Sequence, residues 1–375
     1  PIATMKLLGQ EEGDSERWKW VGVMAVSAGV LILSYYSVIA GWTIAYVPKA
    51  IFGEFAGSDA QSISLLFDNF VSNPYSVIFA HTLFMIINFI IIASGVKGLE
   101  KAVKFLMPGL LLLLFVLFAY SLTSGSFMDG VRFMFTPDFN ALNWDGVLTA
   151  MGLACFTLSI GMGAIMAYGA YLPQETSITN ATVSVVFADT SIAMLAGLVI
   201  FPLVFANGLN PGEGPDLVFK TLPLVFGQMQ VGTFLATIFF VLLSFAALTS
   251  ALGLMEPAVA WMVESTQYNR KQSAATIAFI IWFLGLGTAL SFNSLSEFTF
   301  LQGTIYENVD FLTSNIMLPL GAVFTTIFAA WIMSQNSTSE ELDGHGFVYK
   351  SWQFLAKYFS PIAILIIFLQ AIGWI

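Results

Sequence analysis

Long uninterrupted apolar runs, rather than an alternation of apolar and polar positions, dominate the chain. A bilayer core about 30 Å thick is crossed by roughly 20 apolar residues in a helix. Nine stretches fit that length: 20 to 47, 75 to 95, 105 to 123, 145 to 171, 183 to 206, 231 to 262, 275 to 291, 309 to 333 and 359 to 375. They predict an all-α polytopic membrane protein with a single transmembrane domain over residues 1–375. One run carries an interruption. Within the fourth, the stretch Leu153–Leu172 reads LACFTLSIGMGAIMAYGAYL, with Ser159, Gly161 and Gly163 at its centre. A helix is allowed to unwind in hydrocarbon only where its freed backbone groups face protein or water, and glycine leaves the helical region cheaply. Such a break predicts a binding site. The alternative is a continuous helix whose glycines let a neighbour approach closely.

Basic residues orient the spans. If the runs alternate, ten of the thirteen Lys and Arg fall on one side: Lys6, Arg17, Lys19, Lys97, Lys101, Lys104, Arg270, Lys271, Lys350 and Lys357. Only Lys49, Arg132 and Lys220 fall on the other. The positive-inside rule then makes the amino terminus cytoplasmic and the carboxyl terminus extracytoplasmic, which agrees with an odd number of crossings. The longer outer loops, 48 to 74, 124 to 144 and 207 to 230, have room for small helices that cover a cavity. Asn143 or Asp145 is placed to cap the helix that leads into the break. Between the second and third runs, GLEKAVKFLMP carries Gly98 and Pro108. It reads as a loop followed by a proline in the first helical turn, or as a helix start that unwinds easily.

Composition narrows the function. The chain is 57% hydrophobic and 10% charged, against about a quarter charged in soluble domains, with a mean hydropathy of +0.83. Its net charge of −10 and lack of any basic cluster leave no case for nucleic acid. The single cysteine, Cys155, excludes an internal disulfide. No Ser-His-Asp set, acid pair or phosphate-binding loop is present in the sequence, so an enzyme has no support. The first residue is Pro1 and no signal-like segment precedes the first apolar run, which suits part of a longer chain.

Polar groups inside apolar runs are few and therefore informative. Asp189 lies within SVVFADTSIAMLAGLVIF with no Lys or Arg near it in sequence, so it binds a cation or proton, or stays neutral and hydrogen-bonded. In SFAALTSALGLMEP, Ala246, Thr249 and Ser250 stand at i, i+3 and i+4. Neutral oxygens converging on one helix face suit a hard monovalent cation, although such hydroxyls also bond back to their own backbone. Tyr35 and Tyr36 face different sides of the first run, so at most one reaches a central cavity. His81 reads as a core histidine, Glu256 precedes Pro257, and Glu264 sits where a side chain reaches water.

Taken together, CFTLSIGMGAIMAYGAYL, the ADT of Asp189, FAALTSALGLMEP, YYSVIAGW and TSNIMLPLG resemble the sodium:neurotransmitter symporter family, in particular its bacterial amino-acid transporters. The resemblance implies the leucine-transporter-type inverted-repeat fold, with nine helices corresponding to the family's third to eleventh and the first two missing. It implies sodium-coupled symport of amino acids, hydrophobic or aromatic, by alternating access in the plasma (bacterial inner) membrane. Substrate would meet Ile32, Tyr36, Phe156, Ser159, Gly161, Met162, Gly163 and Leu254, with Tyr36 and Phe156 closing as an outer gate. Two Na+ sites are implied, each partly supplied by the missing first helix: one with Thr157 and Asp189, the other with Ala246, Thr249 and Ser250. Gly98 and Pro108 match a spacing linked to inner unwinding, and Glu264 matches an inner acid whose arginine partner would lie in the missing helix. Ala193 stands where chloride-dependent relatives carry serine, so chloride is not expected; Thr299 falls at an outer gate position that is often acidic. The partners implied are the bilayer, the amino acid, and the missing amino-terminal helices or a homodimer partner. Two rivals remain: a proton-coupled transporter of the same fold working through Asp189, and a non-transporting scaffold that needs a partner.

Overall fold

A computed structural model describes every residue except 14, 141, 174, 211–213, 343–345 and 375. The chain opens with α1 (Ile2–Gly13) and α2 (Lys19–Ile51), followed by α3 (Ala60–Ser72), α4 (Pro74–Ala93), α5 (Gly95–Ser121) and α6 (Phe127–Phe135). Next come α7 (Trp144–Thr157), α8 (Ala164–Gly169), α9 (Ile178–Ala206), α10 (Gly214–Asp216), α11 (Leu222–Gly227), α12 (Gly232–Ser265) and α13 (Arg270–Ser291). A helix from Ile305 to Ile332 contains α14 (Ile305–Asp310) and α15 (Leu318–Ile327) joined by a wide π-turn segment, Phe311–Met317. After α16 (Gln335–Glu341), α17 (Phe347–Phe354) and α18 (Ser360–Ala371) run through a second π segment as one helix, Phe347–Ala371. Eight helices among the described residues are long and apolar enough to span a bilayer. The ninth expected span is present in two pieces, α7 and α8.

Two boundaries differ from the hydropathy pattern. Residues 96–104, expected as loop, belong to the first turns of α5, so Gly98 and Pro108 lie within one helix and no unwinding is seen there. Apolar length underestimates this helix because its first turns are amphipathic: Leu99 is buried while Lys104 pairs with Glu100 one turn away. The last helix likewise begins at Phe347, ahead of the apolar run. The three longer loops, 48 to 74, 124 to 144 and 207 to 230, carry short helices, α3, α6, and α10 with α11.

The core lies around α2 and α12. In their most apolar stretches 61% and 56% of residues are buried, against 6% for α9 and 11% for the last helix. Around this pair α4 and α13 form a scaffold. His81 of α4 is fully buried and its Nε2 lies 3.1 Å from the Trp282 carbonyl of α13, a core histidine as expected. At the outer end Trp42 packs against Phe67, Phe219 and Phe292 with ring centroids 5.0 to 5.6 Å apart. Phe67 belongs to α3 and Phe219 to the turn before α11, so one α2 indole anchors two loop helices.

On the other side of the bundle, Glu12 of α1 accepts a hydrogen bond from the Ser334 amide at 2.8 Å and another from the Ser337 hydroxyl, and so caps α16. The Ser337 hydroxyl, helped by the Ser334 amide, holds the Glu12 carboxyl below its ordinary range. A lowered carboxyl stabilises the contact above the ordinary range and loses it as the pH falls through the depressed value. The protection of the Ser334 amide, taken relative to its intrinsic exchange rate, is therefore expected to fall on acidification below about pH 4. Glu12→Gln should exchange fast already at neutral pH, as read by hydrogen–deuterium exchange.

Candidate functional site: a broken helix in an apolar cradle

The glycine-bearing span is broken. Of the two candidate caps, Asn143 is the one that caps α7, accepting the Gly146 amide at 2.7 Å. The helix ends at Thr157, and the chain then alternates: Ser159, Gly161 and Gly163 take left-handed φ of 54°, 84° and 73°. Side chains tolerate that region poorly, at about 1–2 kcal/mol per residue. Turn bonds recover part of the lost ladder, with Ser159 N–H donating to Phe156 O at 3.0 Å and Ile160 N–H to Cys155 O at 3.0 Å. The amides of Gly161 and Gly163 donate to no backbone group among the described residues. The break thus concentrates unpaired backbone polarity within a span that is otherwise apolar.

Close packing holds it. A Cβ on Gly161 would lie 2.7 Å from the Leu318 carbonyl, so the break rests directly on the start of α15. On the other side, a Cβ on Gly29 of α2 would come within 3.2 Å of the Leu254 carbonyl and 3.6 Å of the Met162 carbonyl. Gly29 is a residue that the sequence did not single out; the small residue in a long apolar run was its only sign.

Of the residues expected to meet substrate, the structure gathers Ile32, Met162 and Leu254 into one buried cluster, with Tyr36 packed against it. Tyr36 faces Ser250 on α12. Tyr35 points elsewhere, its ring edge-on to Tyr306 at 5.7 Å. Phe156 is apart from this cluster and 42% exposed. It lines a separate cavity of about 560 Å³ with Ile160, Ser314, Leu318 and Ile364, between α7 and the last two long helices. Tyr36 and Phe156 therefore do not meet as a gate in this structure.

The ion-site residues divide in the same way. Ala246, Thr249 and Ser250 share one stretch of α12, and the Thr249 hydroxyl donates to the Ala246 carbonyl at 2.9 Å. In this structure that hydroxyl is bonded back to its own helix. Thr157 likewise donates to Ala154 O at 3.3 Å. Asp189 sits on α9, half-exposed, with no hydrogen bond or ion pair among the described residues. No bond joins it to Thr157. No group of three metal-ligating acids, histidines or cysteines occurs among the described residues.

The acids toward the carboxyl end of α12 differ from expectation. Glu264 is exposed and makes no salt bridge among the described residues, whereas Glu256 is fully buried. Arg270, at the start of α13, donates from Nη1 to Glu256 Oε1 at 2.8 Å and from Nη2 to Oε2, a bidentate pair. Its Nε reaches the Ile92 carbonyl at 3.1 Å, where α4 ends. The Tyr171 hydroxyl, two residues beyond α8, donates to the same Glu256 Oε1 at 2.8 Å. Glu256 was legible as an acid in an apolar run, but Arg270, fourteen residues on, read only as an orienting charge. At the outer end Thr299 is exposed on a loop, and the acid that faces the bundle is Asp310. It accepts the Ser314 hydroxyl at 3.0 Å and lies beside Tyr35.

Two outcomes follow for stability, each read by thermal unfolding of the purified protein. Gly161→Ala combines a positive φ with a backbone clash and should cost about 1–3 kcal/mol, whereas Ser159→Gly should stay within about 1 kcal/mol of the parent. Glu256→Ala leaves the Arg270 guanidinium uncompensated and should cost about 3–5 kcal/mol; adding Arg270→Met should restore most of that.

The sodium:neurotransmitter symporter family model matches residues 60–374. An uncharacterised sodium-dependent transporter of Bacillus subtilis is 35% identical over 97% of this chain and 82% of its own length. One from Haemophilus influenzae is 32% identical, over 97% and 81%. The crystal structure of MhsT in complex with L-phenylalanine superposes with a TM-score of 0.87 at 43% identity, covering 95% of this chain and 81% of that one. The relatives are transporters, and the helices here are long enough for several crossings. This chain belongs to the sodium:neurotransmitter symporter family and is a multi-pass membrane transporter, not an enzyme.

Proposed function

We propose that the protein is a sodium-coupled symporter of hydrophobic or aromatic amino acids that works by alternating access. The observation that carries this is the break from Leu158 to Gly163, whose unpaired Gly161 and Gly163 amides sit next to the apolar cluster of Ile32, Met162 and Leu254. Free backbone groups at mid-span suit the charged ends of an amino acid, and the apolar cluster suits its side chain. That MhsT was crystallised with L-phenylalanine supports an aromatic substrate here.

Phe156 and Tyr36 close over the substrate from the outer side in this reading, which requires α7 to move inward from the position seen. One sodium uses the Ala246 carbonyl with the Thr249 and Ser250 hydroxyls, once Thr249 turns away from its own helix. The other uses Thr157 and Asp189. Two further family helices, in this protein or in a partner, complete both ion sites; the exposed faces of α7 and α9 support such a cover. Ala193 supports chloride independence. The ten basic residues assigned to one side support a cytoplasmic position for that side, with α1 and α16.

Uptake of radiolabelled phenylalanine or leucine should require sodium, fall at least about tenfold in Thr249→Ala and in Asp189→Ala, and persist when gluconate replaces chloride. Uptake undiminished in choline at fixed pH would assign the coupling to protons instead.

A further inference from the structure

Where α2 meets α15 near the proposed cytoplasmic boundary, a groove of about 340 Å³ is lined by Arg17, Trp18, Trp20, Val21, Met24 and Phe324. Apart from Arg17 its walls are apolar or aromatic. Trp18 is fixed against Phe328 with ring centroids 4.9 Å apart, whereas Trp20 is 64% exposed. Arg17 is exposed and free of any ion pair among the described residues. Its neighbour Glu16 is occupied elsewhere, accepting from Gln10 at 2.7 Å and facing Lys6 at 3.6 Å.

The groove also crosses a boundary. Arg17 precedes α2, and the apolar run of that helix starts within its first turn, so the guanidinium lies at headgroup level while Val21, Met24 and Phe324 lie in hydrocarbon. Close by on the chain that carries Phe324 and Phe328, the Lys357 ammonium stands 5.0 Å over the Trp331 ring, a second cation and indole at the same end. A comparable groove at the opposite end, lined by Ile51, Gln230, Val231, Thr233, Phe234 and Thr237, has no cation at all. A soluble partner has no access to the hydrocarbon half of the inner groove. The occupant that matches both halves is an amphiphile with an anionic head.

We infer that this groove binds one anionic phospholipid of the cytoplasmic leaflet, with Arg17 on the phosphate and Trp20, Met24 and Phe324 along an acyl chain. Its leaflet rests on the orientation proposed above. Native mass spectrometry of the purified protein with phosphatidylglycerol or phosphatidylcholine of equal chain length tests it. Phosphatidylglycerol should be retained preferentially, and Arg17→Gln should cut its retention about fivefold, the weight of one interfacial basic residue, while leaving phosphatidylcholine unchanged. Trp20→Ala should lower both. Equal retention of the two lipids, full retention by Arg17→Gln, or displacement by inorganic phosphate as effective as by lipid would overturn the inference. Arg17→Cys in a Cys155→Ser background, labelled in right-side-out vesicles with an impermeant maleimide, tests orientation separately. Labelling from outside would refute the leaflet and leave the lipid preference standing.

Discussion

An unpaired backbone amide in hydrocarbon costs several kcal/mol, and most of this molecule is arranged so that one segment can bear that cost. Between Leu158 and Gly163 the helical ladder is given up, and three left-handed residues turn the chain without a proline. What makes the segment tolerable is backbone contact on two sides: Leu318 of α15 against Gly161, and Gly29 of α2 against the Met162 carbonyl. The first contact needs hydrogen in place of a side chain, the second is ordinary van der Waals packing, and neither leaves room for lipid. The break is therefore shielded from the bilayer by packing on these faces and polar by virtue of its own main chain.

The rest of the bundle keeps those two walls still. α2 and α12 are buried along more than half of their apolar stretches, whereas α9 and the last helix are barely covered. Aromatic side chains supply much of the rigidity at the outer end, where Trp42 engages rings from three other parts of the chain. Offset and edge-on pairs of this kind add about 0.5–1.5 kcal/mol each beyond burial. At the inner end the work passes to charge, with Arg270 spanning Glu256 and the Ile92 carbonyl.

Much of this was legible in the residues. The all-helical fold, the spans, the Asn143 cap and the broken helix all came from hydrophobic length, glycine placement and capping chemistry, which are local properties. Helix ends that leave the hydrocarbon were not, because apolar length is silent about amphipathic turns such as Gly95–Lys104. The site was legible in part. Ile32, Met162, Leu254 and Tyr36 converge, while Phe156 faces another cavity and Thr157 and Asp189 stay unjoined, since those contacts depend on where α7 and α9 sit relative to the scaffold. The Glu256 and Arg270 pair escaped notice for a related reason: a charge inside one helix and a charge at the start of the next announce themselves singly, and only the antiparallel packing of α12 and α13 joins them.

Tyr171 shares Glu256 with Arg270, yet the two attachments are unequal. The arginine bond joins ions, and separating them would strand a buried charge. The tyrosine bond is a neutral hydroxyl on a carboxylate that is already neutralised, worth about 1.5–3 kcal/mol by the measure of hydrogen bonds to charged groups. Glu256 thus behaves as a fixed post with one permanent and one detachable line. Tyr171, just beyond α8, is tied to the scaffold by the weaker of the two lines, while buried Ala164 and Ala167 pack α8 itself against the bundle, so the Glu256 post stays electrically closed whether or not that tyrosine is attached.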